Sequence, residues 1–564
     1  MRFRPSSFAL PVAASLLLIA CGDDMAVGSE TASESESGGE TTTSSTSETT
    51  AASQSGTMTA GTCTPGQVQE CTCPAGTGTQ TCQDDGSGYG ACQCVDPVCG
   101  NGMVEGGEEC DAGAENSDFG ACLLDCTAAS CGDGYVQEGV EACDDGVNDG
   151  SYGGCMPGCA QLGPHCGDGV VGGAEACDDG NEVDGDGCNV TCLESGHEIW
   201  TDLYPGRDTG DAVAHGVAVD HDGSIVVVGE QFVVGENANI WIAKYSSEGD
   251  VLWTRTVIGE GGGTDIARGV AVDSEGSYVI TGELAVKGEG GNLWLAKLDP
   301  GGTEVWSLTY NGPADLGDVG NAVAVDSMDN IWVVGSEYHL IGLDDIVVQK
   351  RDPSGALVWA KTLDNKAGND RAWGVAVASD DSGYVVGSVY EPIGLADLWV
   401  RRYTASGTDI FTKTWDQAAG NDVARAVAVD GDDNLVFTGE VYVPNGLANI
   451  VTRKLTDTGV EVWTQIYDSA GSDNDIGHGI AVAPDGTLVV AGEEYTANDF
   501  AACWVRKMSP AAGDELWTHI YDGPAAGNDV ARAVAIASNG DIYAVGQSYE
   551  VGTFASLWVR KLTP

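Results

Sequence analysis

The chain has 564 residues, a length that suggests two to four domains. Acidic residues outnumber basic ones 86 to 24, for a formal net charge of −62. That excludes a nucleic-acid binder and charge-driven adhesion to anionic lipid, both of which need a basic face. Glycine fills 82 positions and apolar residues make up 42% of the chain, which predicts many turns, few long helices and a real core.

Arg2 and Arg4 are the only basic residues before Arg207. An apolar run follows them, from Phe8 to Ala20, too short to span a bilayer but suited to the apolar part of a signal peptide. It ends Leu18-Ile19-Ala20-Cys21, which resembles the bacterial lipoprotein signal. The resemblance implies removal of residues 1–20, lipidation of Cys21 and export. Gly22, where an inner-membrane retention signal would place Asp, favours the outer membrane or cell surface. No later segment has the apolar length of a transmembrane helix, so the lipid would be the membrane anchor. Residues 21–62 are rich in Ser, Thr, Glu and Gly and lack aromatics, and they read as a disordered tether. Its r.m.s. span would be roughly 35 Å.

Cysteines then dominate. Residues 63–98 hold six: Cys63, Cys71, Cys73, Cys82, Cys92 and Cys94. Residues 99–196 hold three units of four: Cys99, Cys110, Cys122 and Cys126; Cys131, Cys143, Cys155 and Cys159; Cys166, Cys177, Cys188 and Cys192. Even counts in an exported chain predict disulfides that replace a core, with the connectivity left open. The short C-x-C and C-x3-C spacings also suit zinc, which export disfavours. Each unit reads C-G-(D/N)-G-x-V, Glu, C-D, an acidic stretch and C-x3-C. This resembles the cysteine-rich repeats of myxobacterial surface proteins, most closely in the third unit, and implies a surface location without a defined activity. In that unit Asp178, Asp179, Asn181, Asp184 and Asp186 crowd one loop. They are candidate Ca²⁺ ligands; a solvated acidic turn is the alternative reading.

From residue 197 to 564 the chain repeats. The phrase (A/G)-V-A-V-D, a turn and I-x-V-x-G ends at Gly229, Gly282, Gly335, Gly387, Gly439, Gly492 and Gly546, at spacings of 52 to 54 residues. Four β-rich runs per repeat predict an all-β, seven-bladed propeller with four-stranded blades. The seventh repeat stops after its third strand, and His197-Glu198-Ile199-Trp200-Thr201 matches the missing fourth. The N-terminal strand is therefore expected to close the last blade and the ring. The repeats resemble bacterial β-propeller repeats of secreted proteins. Their G-x-x-x-W ends, as at Gly302 to Trp306, are also similar to the tryptophan-docking repeats of quinoprotein propellers.

Strand alternation gathers the longer loops on one face, where function is expected. A residue placed just before the first strand of each repeat varies: His215, Arg268, Asn321, Trp373, Arg425, His478 and Arg532. Tyr338, Tyr390, Tyr442, Tyr495 and Tyr549, with Phe232, follow the repeat glycine by three. These predict a polar mouth ringed by tyrosine that would bind a glycan or protein ligand. The structural alternative has the tyrosines packing between blades, the arginines pairing with neighbouring Asp, and the Asp that opens each repeat satisfying loop amides. Basic residues of the third strands, Lys244 to Lys561, are expected to serve structure by pairing with Glu230, Glu283, Glu440 or Glu493. Cys503 is expected to be a buried small hydrophobe. No HExxH, nucleophile elbow or phosphate loop is present, so a binding protein is expected rather than an enzyme. Quinone-cofactor chemistry and a purely structural scaffold are the alternatives.

Overall fold

A computed structural model describes residues 63–564 except 74–75, 95–97, 106, 174, 182–186, 190, 207–209, 236, 315–316, 340–342, 365–367, 391–394, 417–419, 444–446, 470–473, 496–499, 526 and 550–553. The segments expected to be a signal peptide and a tether, with Cys21, and the candidate ligands Asp184 and Asp186 lie outside the described residues. The chain divides into two compact units, one ending at Asp96 and one beginning at Pro97. Among the described residues, no helix is long and apolar enough to cross a membrane.

The first unit is an antiparallel hairpin, Val68–Cys73 paired with Gly76–Thr81. It is crosslinked by Cys63–Cys82, Cys71–Cys92 and Cys73–Cys94. The second unit opens with the three cysteine repeats. Each has the same nested pairing, first to fourth and second to third: Cys99–Cys126 around Cys110–Cys122, Cys131–Cys159 around Cys143–Cys155, and Cys166–Cys192 around Cys177–Cys188. The sequence left this connectivity open. The Asp after each second cysteine explains the shared C-G-(D/N)-G loop. Asp178 accepts backbone N–H groups from Gly167, Asp168, Gly169 and Gly180, and Asp111 and Asp144 do the same in their units. The glycines let the backbone fold around that carboxylate in conformations a side chain disfavours, with Gly167 and Gly169 at φ 91° and 83°.

The rest is a seven-bladed propeller. Each blade is a four-stranded antiparallel sheet whose strands, a to d, run outward, in chain order in blades one to six. The a strands are Ala212–Val219, Ile266–Val272, Val319–Val325, Arg371–Val377, Val423–Val429, Ile476–Val482 and Val530–Ile536. Each contacts the a strands of the blades on either side, and the seventh contacts the first, so the ring is closed. Closure takes the expected form. Glu198–Tyr204 pairs antiparallel with Ala555–Leu562 as the d strand of blade seven. His197 and Thr563 exchange bonds beside it, each backbone N–H finding a partner on the other residue.

The core lies between blades. Seven hydrophobic clusters each join two neighbours, as where Val227 and Trp241 of blade one meet Tyr543 and Leu557 of blade seven. Aromatics of the d strands tie the outer rim. Trp253 sits over Gly302 in the turn of the next blade and donates its indole N–H to Pro300 O at 3.2 Å. Trp306, Trp359 and Trp463 repeat the arrangement. This accounts for the G-x-x-x-W spacing as a docking device of the fold. Cys503 is 1% exposed within the cluster joining blades six and seven, as expected of a small hydrophobe.

The basic c-strand residues are structural, but with different partners from those expected. Each salt-bridges an Asp of its own a–b turn, for example Lys244 with Asp220 at 2.7 Å and Lys297 with Asp273 at 2.6 Å. The four glutamates lie two-thirds of the way along strand b, beyond their reach, and belong to the opposite end of the channel.

Candidate functional site

The seven varied residues meet. His215, Arg268, Asn321, Trp373, Arg425, His478 and Arg532 together line one cavity of about 130 Å³ on the channel axis. They do not precede strand a, as the sequence suggested, but lie within it. Pairing with strand b skips one residue in every blade, between Ala214 and Gly216, Ala267 and Gly269, Gly320 and Ala322, Ala372 and Gly374, Ala424 and Ala426, Gly477 and Gly479, and Ala531 and Ala533. The skipped residue is the varied one each time. A regular strand sends its side chains to the two sheet faces, which here are covered by neighbouring blades. A β-bulge frees one residue from the ladder and re-aims its side chain, here into the channel.

The residue after each bulge must be small. A β-carbon on Gly216 would lie 2.9 Å from Arg268 O, and one on Gly479 would lie 2.9 Å from Ala533 Cα of the next blade. Gly or Ala occupies all seven of these positions. The ring is thus drawn tight beside the bulges, on the side of the longer loops.

A second circle of residues holds the first. It is the residue directly after each repeat glycine: Glu230, Glu283, Ser336, Ser388, Glu440, Glu493 and Gln547. Arg425 is held by Glu440 through two bonds of 2.5 and 2.8 Å. His215 meets Glu230 at 3.1 Å, His478 meets Glu493 at 3.3 Å, and Arg532 donates to Gln547 at 3.0 Å. Arg268 is looser, 3.8 Å from Glu283. The arginines therefore pair with glutamate or glutamine of their own blade, not with Asp. Where the bulge residue is Asn321 or Trp373, the matching position is serine. Asn321 instead donates to Ala372 O at 2.8 Å, and Trp373 lies under the Arg425 guanidinium, 5.5 Å from its ring centre. This matched variation is the signal in the sequence that could have placed the glutamates in the mouth.

Burial sets the charges. It pushes the His215 imidazole down to about 4 and lowers His478 as well, so both rings are neutral near pH 7. Burial likewise raises the Glu283 carboxyl and lowers Arg268, consistent with their loose pairing. The cup thus carries three arginines against four glutamates, and two neutral histidines. Among the described residues, three buried donors of the cup find no hydrogen-bond partner: Arg268 Nε, Trp373 Nε1 and Arg532 Nε. A second hollow of about 210 Å³ adjoins it through Arg268, Asn321 and Trp373, and reaches Asp344 and Arg371, an ion pair of 2.5 Å.

The tyrosines stand apart from the cavity wall. Tyr338, Tyr390, Tyr442, Tyr495 and Tyr549 are half-buried, and each backbone N–H is held by the Asp that opens its repeat, as Tyr390 is by Asp370 at 2.7 Å. The rings of Tyr390, Tyr442 and Tyr549 pack on Gly368, Gly420 and Gly527 of the d–a loops. They shape loops within their own blades. The repeat-opening Asp residues satisfy loop amides, as expected.

The cysteine repeats bring acidic and sulfur atoms close together, as in Glu175, Asp178 and Cys192, within 4.8 Å of one another. Such a group could hold a metal, but Cys192 is disulfide-bonded. Asp178 is already occupied by four backbone N–H groups, and Asp179 accepts the Cys188 N–H at 2.9 Å. Of the remaining candidate ligands, Asn181 is half-buried.

Residues 158–193 match the family described as "Domain of unknown function (DUF4215)". No curated protein matches the chain. Among solved structures, a protein of unknown function from Dyadobacter fermentans DSM 18053 aligns over 66% of this chain and 100% of its own, at 10% identity and a TM-score of 0.38. Drosophila Plexin A, solved in complex with Semaphorin 1b, aligns over 65% of this chain and 87% of its own, at 8% identity and a TM-score of 0.38. The chain thus joins a cysteine-rich stretch similar to DUF4215 to a seven-bladed propeller.

Proposed function

We propose that this is an exported surface protein, anchored by lipid at Cys21, whose propeller is a binding module that takes the end of a neutral, hydroxyl-rich chain such as a glycan in the bulge-lined cup. The lipoprotein-like N-terminus, the tether and the disulfide-rich repeats support the address. The observation that carries the binding reading is the cup itself: seven bulges, one per blade, direct one varied residue from each repeat into one cavity. Repeats that share one strand pattern thus differ where a ligand would touch them. Four glutamates against three arginines disfavour an anionic ligand. Unsatisfied N–H donors beside carboxylate acceptors suit hydroxyl groups, which both donate and accept.

The test is saturable retention of the mature chain on isolated envelope polysaccharide, with unlabelled protein as competitor. Trp373→Phe removes one donor and Arg268→Met another. Each is expected to weaken retention by about tenfold, the cost of one lost bond to a charged or buried donor. Saturable retention that both variants leave unchanged would remove the cup from the function.

A further inference from the structure

At one boundary, between blades three and four, the repeat breaks its own pattern twice. The strand-c residue paired with Tyr338 and its equivalents is alanine or glycine in six blades and Asp344 in blade three. The strand-a residue two places before the bulge is valine or isoleucine in six blades and Arg371 in blade four. The two exceptions touch. Arg371 Nε and Nη2 both donate to Asp344 Oδ2, at 2.6 and 2.5 Å.

Stability does not account for the exchange. The Arg371 side chain is 41% exposed, and an ion pair so open to water contributes little. It stands where other blades bury an apolar side chain, as they do Val213, Val423 and Val530. What the pair does is line a hollow of about 210 Å³ on the longer-loop face, where strands a and c begin. Ser336, shorter than the glutamate of four other blades, lines it too. Arg268, Asn321 and Trp373 line both this hollow and the cup. Neither cavity alone, at about 130 and about 210 Å³, reaches the roughly 300 Å³ at which small-ligand sites begin; joined through their common walls, they do.

We propose that the hollow is a second subsite, which holds the next hydroxyl-bearing unit of the chain whose end fills the cup. This rests on the binding reading above. It adds the direction in which the ligand leaves the cup, across blades three and four, and the number of units recognised, which is two. Asp344 and Arg371 balance each other's charge, so the subsite suits a neutral unit. Among the described residues, Asp344 Oδ1 and Arg371 Nη1 make no further hydrogen bond. A free acceptor beside a free donor matches two adjacent hydroxyls of a sugar ring, one donating and its neighbour accepting. Arg268, held only loosely by Glu283 at 3.8 Å, and Trp373 would touch both units.

The probe is envelope polysaccharide cut by partial acid hydrolysis and sized into pools of one, two and three units. Each pool competes for retention of the disulfide-bonded mature chain on the intact polysaccharide. Arg371→Val with Asp344→Ala restores what the other blades carry and removes only the hollow's polar pair. Two-unit fragments are expected to compete about tenfold or more better than single units, the gain of a bond to a charged group, and a third unit to add little. The double variant is expected to bring two-unit fragments down to the level of single units and to leave single units unchanged. Its melting temperature should be unchanged or raised, since six blades carry those residue types at each position, so its loss of binding is not a loss of fold. A two-unit gain that the double variant leaves intact would overturn the subsite. So would the absence of any gain from the second unit while Trp373→Phe still weakens retention, a result that leaves the cup standing. No saturable retention on the polysaccharide would overturn the cup and the subsite together.

Discussion

Trp517 packs against Gly196, a residue that lies before the propeller's first strand and four positions after the last disulfide-bonded cysteine. A β-carbon on Gly196 would sit 2.7 Å from the indole. In blades one to six the glycine that receives the neighbour's aromatic is in the c–d turn: Gly249, Gly302, Gly355, Gly407, Gly459 and Gly513. Blade seven has no continuous c–d turn, because its d strand comes from the other end of the sequence. Gly196 takes that place and completes the outer ring of seven docked aromatics. Its φ of 71° adds backbone strain to any replacement. Gly196→Val is therefore expected to cost about 2 kcal/mol or more, in the manner of other substitutions at special backbone positions. Gly431→Ala, where a β-carbon meets nothing within 4 Å, should fall within about 0.5 kcal/mol of the parent. Denaturant unfolding of the disulfide-bonded chain distinguishes them; equal stability of the two variants would show that Gly196 plays no part in closure.

The buried histidines of the cup give the fold an acid limb. The folded His215 ring titrates at about 4, against 6.5 ordinarily, and His478 is lowered too, in both cases through burial. As pH falls below about 6.5 the unfolded chain takes up protons that the folded rings refuse, so stability is lost between about 6.5 and 4 and is level above that window. For His215 the loss is at most about 3 kcal/mol. Burial would raise Glu230 and Glu493, but their histidine partners hold both below the usual value, so their own loss is confined to pH below about 4.5. His215→Gln with His478→Gln keeps a donor for each glutamate and should flatten this limb. His519, pushed down to about 4 by burial and by Arg560, remains in the double variant and leaves a residual slope. The measurement is stability against pH. An unchanged slope would mean that the two rings are protonated in the fold.

The blade pattern, the count of seven and the closing strand were legible because each rests on local periodicity, which a repeat displays many times over. The varied residues were legible as a set for the same reason. Their placement was not. Nothing in a single repeat shows that Arg268 or His478 is skipped by the ladder, since a bulge is a property of two strands in register. The glutamate partners were assigned to the wrong end of the blade because Lys297 and Glu283 sit near each other in sequence while strand direction separates their side chains. The tyrosines were drawn into the mouth by spacing alone, whereas the ring of Tyr390 is captured by Gly368 of a loop that the spacing does not describe. The cysteine pairing needed three dimensions, as pairings of four cysteines always do.

Blade three carries a buried carboxylate that works against the fold. Asp345 faces Glu337 directly across strands b and c, and both are nearly inaccessible, at 4% and 3% exposed. Burial raises the Asp345 carboxyl to about 6; His339 at 3.3 Å opposes this, while Asp364, Asp370 and Glu337 add to it. The folded state therefore holds this proton more tightly than the unfolded chain does, and stability falls as pH rises from about 4 to about 6. Asp345→Asn removes the charge and should stabilise the protein by about 1–2 kcal/mol at pH 7.5, with little gain at pH 4. Melting temperatures at the two pH values test it, and a loss at pH 7.5 would show that the His339 contact outweighs the repulsion.

In the cysteine repeats the crosslinks replace the core. Among the described residues, the one hydrophobic cluster there consists of Cys143, Cys155 and Cys159, while Val140, Val147, Val170 and Val171 stay exposed. Loss of an inner bridge should therefore be felt locally and almost in full. Cys177 and Cys188 close a loop of sequence separation 11, for which the chain-entropy estimate is about 3 kcal/mol. Cys177→Ser with Cys188→Ser is expected to open residues 166–192 to protease and to amide exchange under native conditions. The propeller should keep its inter-blade clusters, none of which includes a residue of that loop. Besides the Trp517–Gly196 packing, a hydrogen bond joins the end of the repeat to the ring: Thr563 Oγ1 donates to Glu194 O at 2.8 Å. If it transmits the loss, exchange will also quicken at the closing strand Glu198–Tyr204, beginning with His197, whose N–H is held by Thr563. Protection of residues 166–192 equal to that of the parent chain would show that the loop folds without its inner bridge.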